Sequence, residues 1–127
     1  MITLLQVKFL YDIIFSKGEL YVMRLRKEPN EMQEEEVLLI AQVSDAIAHP
    51  ARIKIYRFIM KCNKERLPVC NKDVVAAFDY SQATISQHIK KLIDAELVQM
   101  QKNDKFSMYY ANFGILMKYL DATKKFE

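Results

Sequence analysis

Glycine is nearly missing from this chain: two in 127 residues, beside three prolines. That scarcity excludes a loop-rich, disordered or low-complexity protein and favours a mostly helical one. It also leaves little room for chemistry built on glycine. No Gly-rich phosphate loop, paired-carboxylate motif or nucleophile elbow occurs, so a non-enzyme is expected, with no cofactor. Cysteine is equally sparse. Cys62 and Cys70 make no disulfide framework, and nothing else points to export. No apolar run reaches the roughly 20 residues that a spanning helix needs. The apolar opening "MITLLQVKFLYDIIF" is interrupted by Lys8 and Asp12, has no basic leader, and is followed by no cleavage-like motif. A soluble cytoplasmic protein without a membrane segment is the expectation.

Net charge is also small, +3, but unevenly spread. Residues 31–49 hold five acidic residues and neither Lys nor Arg, whereas residues 50–110 hold eleven basic and six acidic. A basic middle suits a polyanionic partner, with a solvated surface as the plainer alternative.

What is abundant is apolar residues, 51% of the chain, enough for one domain with a genuine core. No internal repeat is visible. Residues 1–30 look like an extension of uncertain structure, separated by the polar, proline-containing "RLRKEPN", and residues 31–127 like the domain proper. Within the extension, "LLQVKFLYDIIF" is an appendage, a stretch upstream of a true start at Met23 or Met32, or an extra helix packed on the dimer.

A first helix is expected over 31–49, with Val37, Ile40, Ala41, Ser44, Ile47 and Ala48 along one stripe. "AHPAR" breaks it, since proline disfavours a helical residue before it and suits the first turn of the next helix. That second helix spans about 50–62, with bulk from Ile53, Ile55, Tyr56, Phe58, Ile59 and Met60. After the loop "NKERLPVC", a short helix over 71–78 turns Val74, Val75 and Phe78 inward. Ser81 is a candidate N-cap for a helix over 81–96. "LVQMQKNDKFSMYYA" then alternates and reads as a hairpin, 97–102 and 105–111, turning at Asn103-Asp104. A helix over 113–125 closes the chain. Its apolar coverage exceeds what one small core absorbs, as does that of the first helix. Val37, Ile40, Ile47, Leu116, Tyr119 and Leu120 are therefore candidates for a subunit interface.

On a helical wheel, residues 81–96 place Ile85, Ile89, Leu92 and Ile93 in one sector. Ala83, Thr84, Gln87, Lys90 and Lys91 lie opposite, with Ser86 and His88 at the margins. Small groups at the front let a helix sink into a major groove, Gln can bond a base edge twice, and Lys neutralises phosphates. Any surface helix also shows polar residues to solvent, so this face alone is not specific. The order of short helix, Ser-capped helix and basic-tipped hairpin is what points to a helix-turn-helix with a wing. The candidate DNA-contacting set is Ser81, Gln82, Ala83, Thr84, Ser86, Gln87, His88, Lys90 and Lys91, with Lys102 and Lys105 on the hairpin.

"SDAIAHPARIKIYRFIM", then "SQATISQHIKKLIDAELV" and a hairpin ending in "YY", resembles the ArsR/SmtB family of dimeric winged-helix repressors over about residues 37–120. The resemblance implies that helix 81–96 reads an operator, that the first and last helices build a homodimer, and that an effector releases double-stranded DNA. It also shows departures. Many relatives bind metal through "CVC"; here Cys70 holds the first position but Lys72 the second. The closing helix has no His, so the Asp/His/His/Glu site of other relatives is missing as well, although Asp73 remains. A soft-metal site needs three or four N or S ligands, and none is expected here.

His49 and His88 read as hydrogen-bonded structural residues, with a phosphate contact as the alternative for His88. Cys62 reads as a small buried hydrophobe. Cys70, near Lys72 and a helix start, is either an inert thiol or a redox sensor. The fold expected is mainly α with one small β-hairpin, a dimeric winged helix-turn-helix. The function expected is sequence-specific DNA binding: a repressor reading a palindromic operator, with helix 81–96 in the major groove and hairpin 97–111 as the wing. The rival is a winged-helix protein-interaction module that reads no operator.

Overall fold

Caps in the sequence decide where each helix starts. The computed structural model describes residues 31–126, so the expected extension, residues 1–30, lies outside the described residues. Helix α1 (Glu34–Ala46) carries Glu34, Glu35 and Glu36 in its first turn, against the positive end of its dipole. Glu36 also accepts the Gln33 amide at 3.1 Å. The helix is shorter at both ends than the expected 31–49: Gln33 caps its start, and His49 serves the next helix instead. Its Nδ1 accepts the Ala51 N–H at 3.1 Å, and Pro50 opens α2 (Pro50–Lys64), where its missing N–H costs nothing. Arg52 reaches back, donating from Nε to the Ala46 carbonyl at 2.6 Å and from Nη2 to the Asp45 carbonyl at 3.2 Å. A guanidinium thus closes the negative end of α1. "AHPAR" is a corner that finishes one helix and begins another.

Helix α3 (Asn71–Ala77) starts at Cys70, whose N–H donates to the Asp73 carboxylate at 2.8 Å. Helix α4 (Gln82–Asp94) starts at Ser81, whose Oγ accepts the Thr84 N–H at 3.2 Å. Helix α4 ends before the expected Glu96, which has left-handed backbone at φ 63°. The Leu97 N–H bonds the Leu92 carbonyl there, and the Glu96 N–H bonds that of Ile93. Arg66, at φ 58°, closes α2 in the same way. Glycine usually takes such positions; this glycine-poor chain uses Arg and Glu, at a cost of about 1–2 kcal/mol each.

Strands β1 (Val98–Asn103) and β2 (Phe106–Ala111) pair antiparallel from Val98↔Ala111 to Asn103↔Phe106. The turn is Asp104-Lys105, one residue later than expected, because Asp104 takes the left-handed conformation at φ 54°. Lys102 therefore lies within β1, opposite Ser107, and Lys105 forms the tip itself. The hairpin has a further neighbour. Val69 accepts the Tyr109 N–H at 2.9 Å, and Cys70 bridges to Met108. Helix α5 (Phe113–Thr123) is capped by Asn112 Oδ1, which accepts the Ile115 N–H at 3.3 Å, and runs on as a 3-10 turn, Lys124–Phe126.

The core lies among α2, α4 and the root of the hairpin, where Ile55, Ile59, Ile85, Ile89, Leu92, Leu97 and Val98 are sealed from solvent. Each such side chain contributes about 1.5–3 kcal/mol of transfer free energy. Tyr56 is buried beside them, its hydroxyl without a hydrogen-bond partner among the described residues, and burial pushes its phenol up to about 12. In α1 the buried residues are Val43 and Ala46, with Leu39 packed on the core, while Val37, of the stripe expected at a subunit interface, is exposed. One expected face needs correction. In α2, Ile53 points outward and is half exposed. Helices α1 and α5 pack together, with Ser44 Oγ 3.4 Å from Tyr119 Oη and Lys125 Nζ 2.7 Å from Glu36. The hydrogen bond from Lys125, helped by the Gln33 amide, holds the Glu36 carboxyl below its ordinary value.

Candidate nucleic-acid interface

Helix α4 presents two opposed faces. Ile85, Ile89 and Leu92 are fully buried, with Ile93 packed against the same core, while Gln82, Ala83, Ser86, Gln87, Lys90 and Lys91 are exposed. The outward face narrows at its N-terminal end, where side chains are short, and carries its cations toward the C-terminal end. Ser81 and Thr84 are engaged with each other: the Ser81 hydroxyl donates to Thr84 Oγ1 at 2.9 Å while accepting that residue's N–H. Ser81 is exposed and Thr84 half-buried.

His88 sits at the edge of this face, half-buried. Its ring lies 4.8 Å from that of His49, centroid to centroid, and 6.3 Å from that of Tyr80. Burial, and then the neighbouring His49 and Arg52, pull the His88 imidazole below its ordinary value. A ring N–H of His88 can still donate to a phosphate. The Nδ1 of His49 is occupied as the cap of α2.

Two asparagines that the sequence did not single out hold α4 and the hairpin in place. Asn63 binds the edge of β2 through both ends of its amide: Nδ2 donates to the Tyr109 carbonyl at 3.3 Å and Oδ1 accepts the Ala111 N–H at 2.7 Å. Asn71 Nδ2 lies 3.3 Å from Ser86 Oγ on α4 and 3.4 Å from Tyr109 Oη on β2. Helix α4 and the hairpin are thus braced to one another through the first residue of α3. Lys102 and Lys105 are both exposed on the hairpin.

The residues expected at a subunit interface lie on α1 (Val37, Ile40), just past its end (Ile47) and on α5 (Leu116, Tyr119, Leu120). Val37 and Leu120 are 43% and 45% exposed, enough to be free for a partner. Ile40 is half-buried, and Ile47, Leu116 and Tyr119 already pack partly on the core. Leu38 and Met117 add further exposed apolar surface to these helices.

Both thiols are half-buried. Burial, aided by Glu65 and Asp73, pushes the Cys62 thiol up and keeps it protonated and unreactive. Among the described residues no group of three or more His, Cys, Asp or Glu side chains is placed to hold a metal ion. Near-stoichiometric zinc is accordingly expected to leave a protein–DNA complex intact in an anisotropy titration. Release by zinc would reveal ligands contributed across subunits. A thiol oxidant applied to wild type and Cys70→Ser checks the remaining signal. Release in both proteins excludes Cys70 as the sensor.

The family described as bacterial regulatory protein, arsR family, matches residues 49–100, from the cap of α2 into β1. The chain is 31% identical over 77 residues to the arsenical resistance operon repressor of Staphylococcus xylosus, an alignment covering 61% of this chain and 69% of that one. It is 40% identical over 48 residues to the arsenical resistance operon repressor of Staphylococcus aureus, covering 38% and 46% respectively. Among solved structures, an ArsR-like transcriptional regulator from Rhodococcus sp. RHA1 superposes with a TM-score of 0.62 at 19% identity, over 71% of this chain and 80% of that one. At that identity the structural likeness establishes the winged helix-turn-helix fold.

Proposed function

This chain belongs to the arsR family of bacterial regulatory proteins, and from that membership we propose that it is a homodimeric repressor reading a palindromic operator. Membership makes it a DNA-binding transcriptional regulator. The finer reading places α4 in the major groove and the β1–β2 hairpin along the adjoining backbone as the wing. One observation carries it: α4 seals its isoleucines and Leu92 inside while leaving Gln82, Gln87, Lys90 and Lys91 free on the far side. Glutamine amides suit base edges and lysines suit phosphates, so the face combines specificity with charge.

The homodimer is supported by the apolar surface that α1 and α5 leave open around Val37 and Leu120. No helix among the described residues is long and apolar enough to cross a membrane; the reading places the protein in the cytoplasm, with the DNA it binds. The rival, a docking module that ignores DNA, would use the same apolar surface and leave the α4 face idle.

Titration of a duplex carrying the operator decides between them. Gln87→Ala is expected to weaken specific binding by about 1–3 kcal/mol and to relax preference at one base position. Lys90→Ala and Lys91→Ala should weaken binding to every sequence and flatten its salt dependence, because each lost phosphate contact releases fewer counterions. A triple variant that binds the operator like wild type would show that α4 is not the reading helix. Duplex binding indifferent to salt would favour the docking module.

A further inference from the structure

Between the hairpin and the start of α3 lies a cleft of about 430 Å³. Lys72 and Lys105 supply its charge, Asn71, Gln82 and Ser107 line it with neutral polar groups, and no carboxylate among the described residues lines it. Neither lysine has an ion-pair partner among the described residues. Lys72 Nζ sits 5.7 Å from the centroid of the Phe106 ring. Phe106 is half exposed on the hairpin, where an aromatic side chain gains little from burial. Holding an ammonium at the rim of the cleft gives that ring a role. The floor is rigid, since the Asn71 amide is bonded to Ser86 and Tyr109.

Two unpaired cations, amide and hydroxyl donors and no acid make a concavity complementary to an oxyanion with several acceptor oxygens. Placement identifies the source of that oxyanion. Gln82 is the first residue of α4 and Lys105 is the hairpin tip, so the cleft lies between the two elements proposed to flank a DNA strand. We propose that this cleft is a phosphate seat, in which Lys72 and Ser107, together with Gln82 and Lys105, grip one backbone phosphodiester of each operator half-site. The proposal rests on the operator-reading function above and adds to it a positioning contact. With one phosphate held beside its first turn, α4 enters the groove in a fixed register. The lysine that interrupts the thiolate pair is the residue this seat requires.

The test pairs Lys72→Ala with duplexes in which single phosphates are replaced by neutral methylphosphonates. Wild type should lose affinity by about tenfold at one position in each half-site, and Lys72→Ala, which alters both seats of a homodimer at once, should lose about 10–100-fold on the unmodified duplex. Its logarithmic salt slope should fall by about one per half-site with base preference unchanged. Neutralising that same phosphate should cost the variant less than it costs wild type, since Lys105, Gln82 and Ser107 remain, and Lys72→Arg should restore binding. An unchanged melting temperature for Lys72→Ala separates these effects from misfolding. Operator binding by Lys72→Ala at wild-type strength would overturn the seat while leaving the operator-reading function standing. So would a Lys72→Ala loss that adds in full to that of every methylphosphonate. Inorganic phosphate bound in the cleft of a protein insensitive to all the methylphosphonates would assign it to a free oxyanion and overturn it too. Failure of wild type to bind duplex at low salt would remove both readings together.

Discussion

Leu120→Glu is expected to yield a folded monomer that has lost operator binding by about 10²-fold or more. Leu120 is nearly half exposed in the single chain, so a carboxylate there stays hydrated and the core is untouched. In a two-fold pairing of α1 and α5 it would be buried together with its symmetry mate, and burying two unpaired carboxylates is prohibitive. The loss on DNA follows from geometry: two tethered reading helices make the second contact intramolecular, and a monomer forfeits that gain. Leu116→Glu is a poorer probe, because Leu116 packs partly on the core and its substitution also strikes the fold. Sedimentation velocity and thermal melting check the outcome. A wild type that sediments as a monomer at micromolar concentration would refute the interface, as would a variant that remains dimeric.

Asn63→Ala should be among the most destabilising single changes, lowering stability by about 2–4 kcal/mol. The amide of Asn63 pairs with both the Tyr109 carbonyl and the Ala111 N–H, and alanine leaves two part-buried backbone groups of β2 without partners. In a domain of this size the loss corresponds to a fall in melting temperature of about 10–20 °C. Asn63→Asp separates the two bonds, since a carboxylate still accepts the Ala111 N–H but cannot donate to the Tyr109 carbonyl. A melting temperature for Asn63→Ala within a few degrees of wild type would show that water replaces the amide.

The contrast between Asn63 and Ser81 shows how much of the molecule is legible in one sequence. Ser81 bonds to a residue three positions away, and such local signals place α4, its cap and its buried isoleucines close to where they are found. Asn63 bonds to residues 46 and 48 positions away, and no local pattern announces a partner that distant. Asn71, with partners 15 and 38 positions away, is hidden for the same reason. The core-facing residues of α1, Val43 and Ala46, go unnamed for a different one. Val37, Leu38, Leu39 and Ile40 are consecutive apolar residues, so the period cannot tell the stripe turned to the core from the one left open. The ends of α1 shift because one residue, His49, could close the first helix or cap the second, and capping α2 wins. Which outward residues of α4 touch bases is beyond such patterns altogether, since every exposed polar side chain there satisfies them equally.

The corner at "AHPAR" has a consequence for the DNA itself. Only Ile47, Ala48 and His49 separate α1 from α2, and Arg52 bonds across the join to the last carbonyls of α1. In the proposed homodimer there is consequently no slack tether between the surface that pairs the subunits and the unit that reads bases. Such a dimer would act as a caliper whose jaws are set when the subunits join. Its opening would be dictated by the proposed pairing of α1 with α5, and it would match only half-sites on the same side of the duplex, a whole number of helical turns of about 10–10.5 base pairs apart. An operator lengthened by half a turn presents its second half-site on the far side, beyond the reach of jaws that cannot swivel.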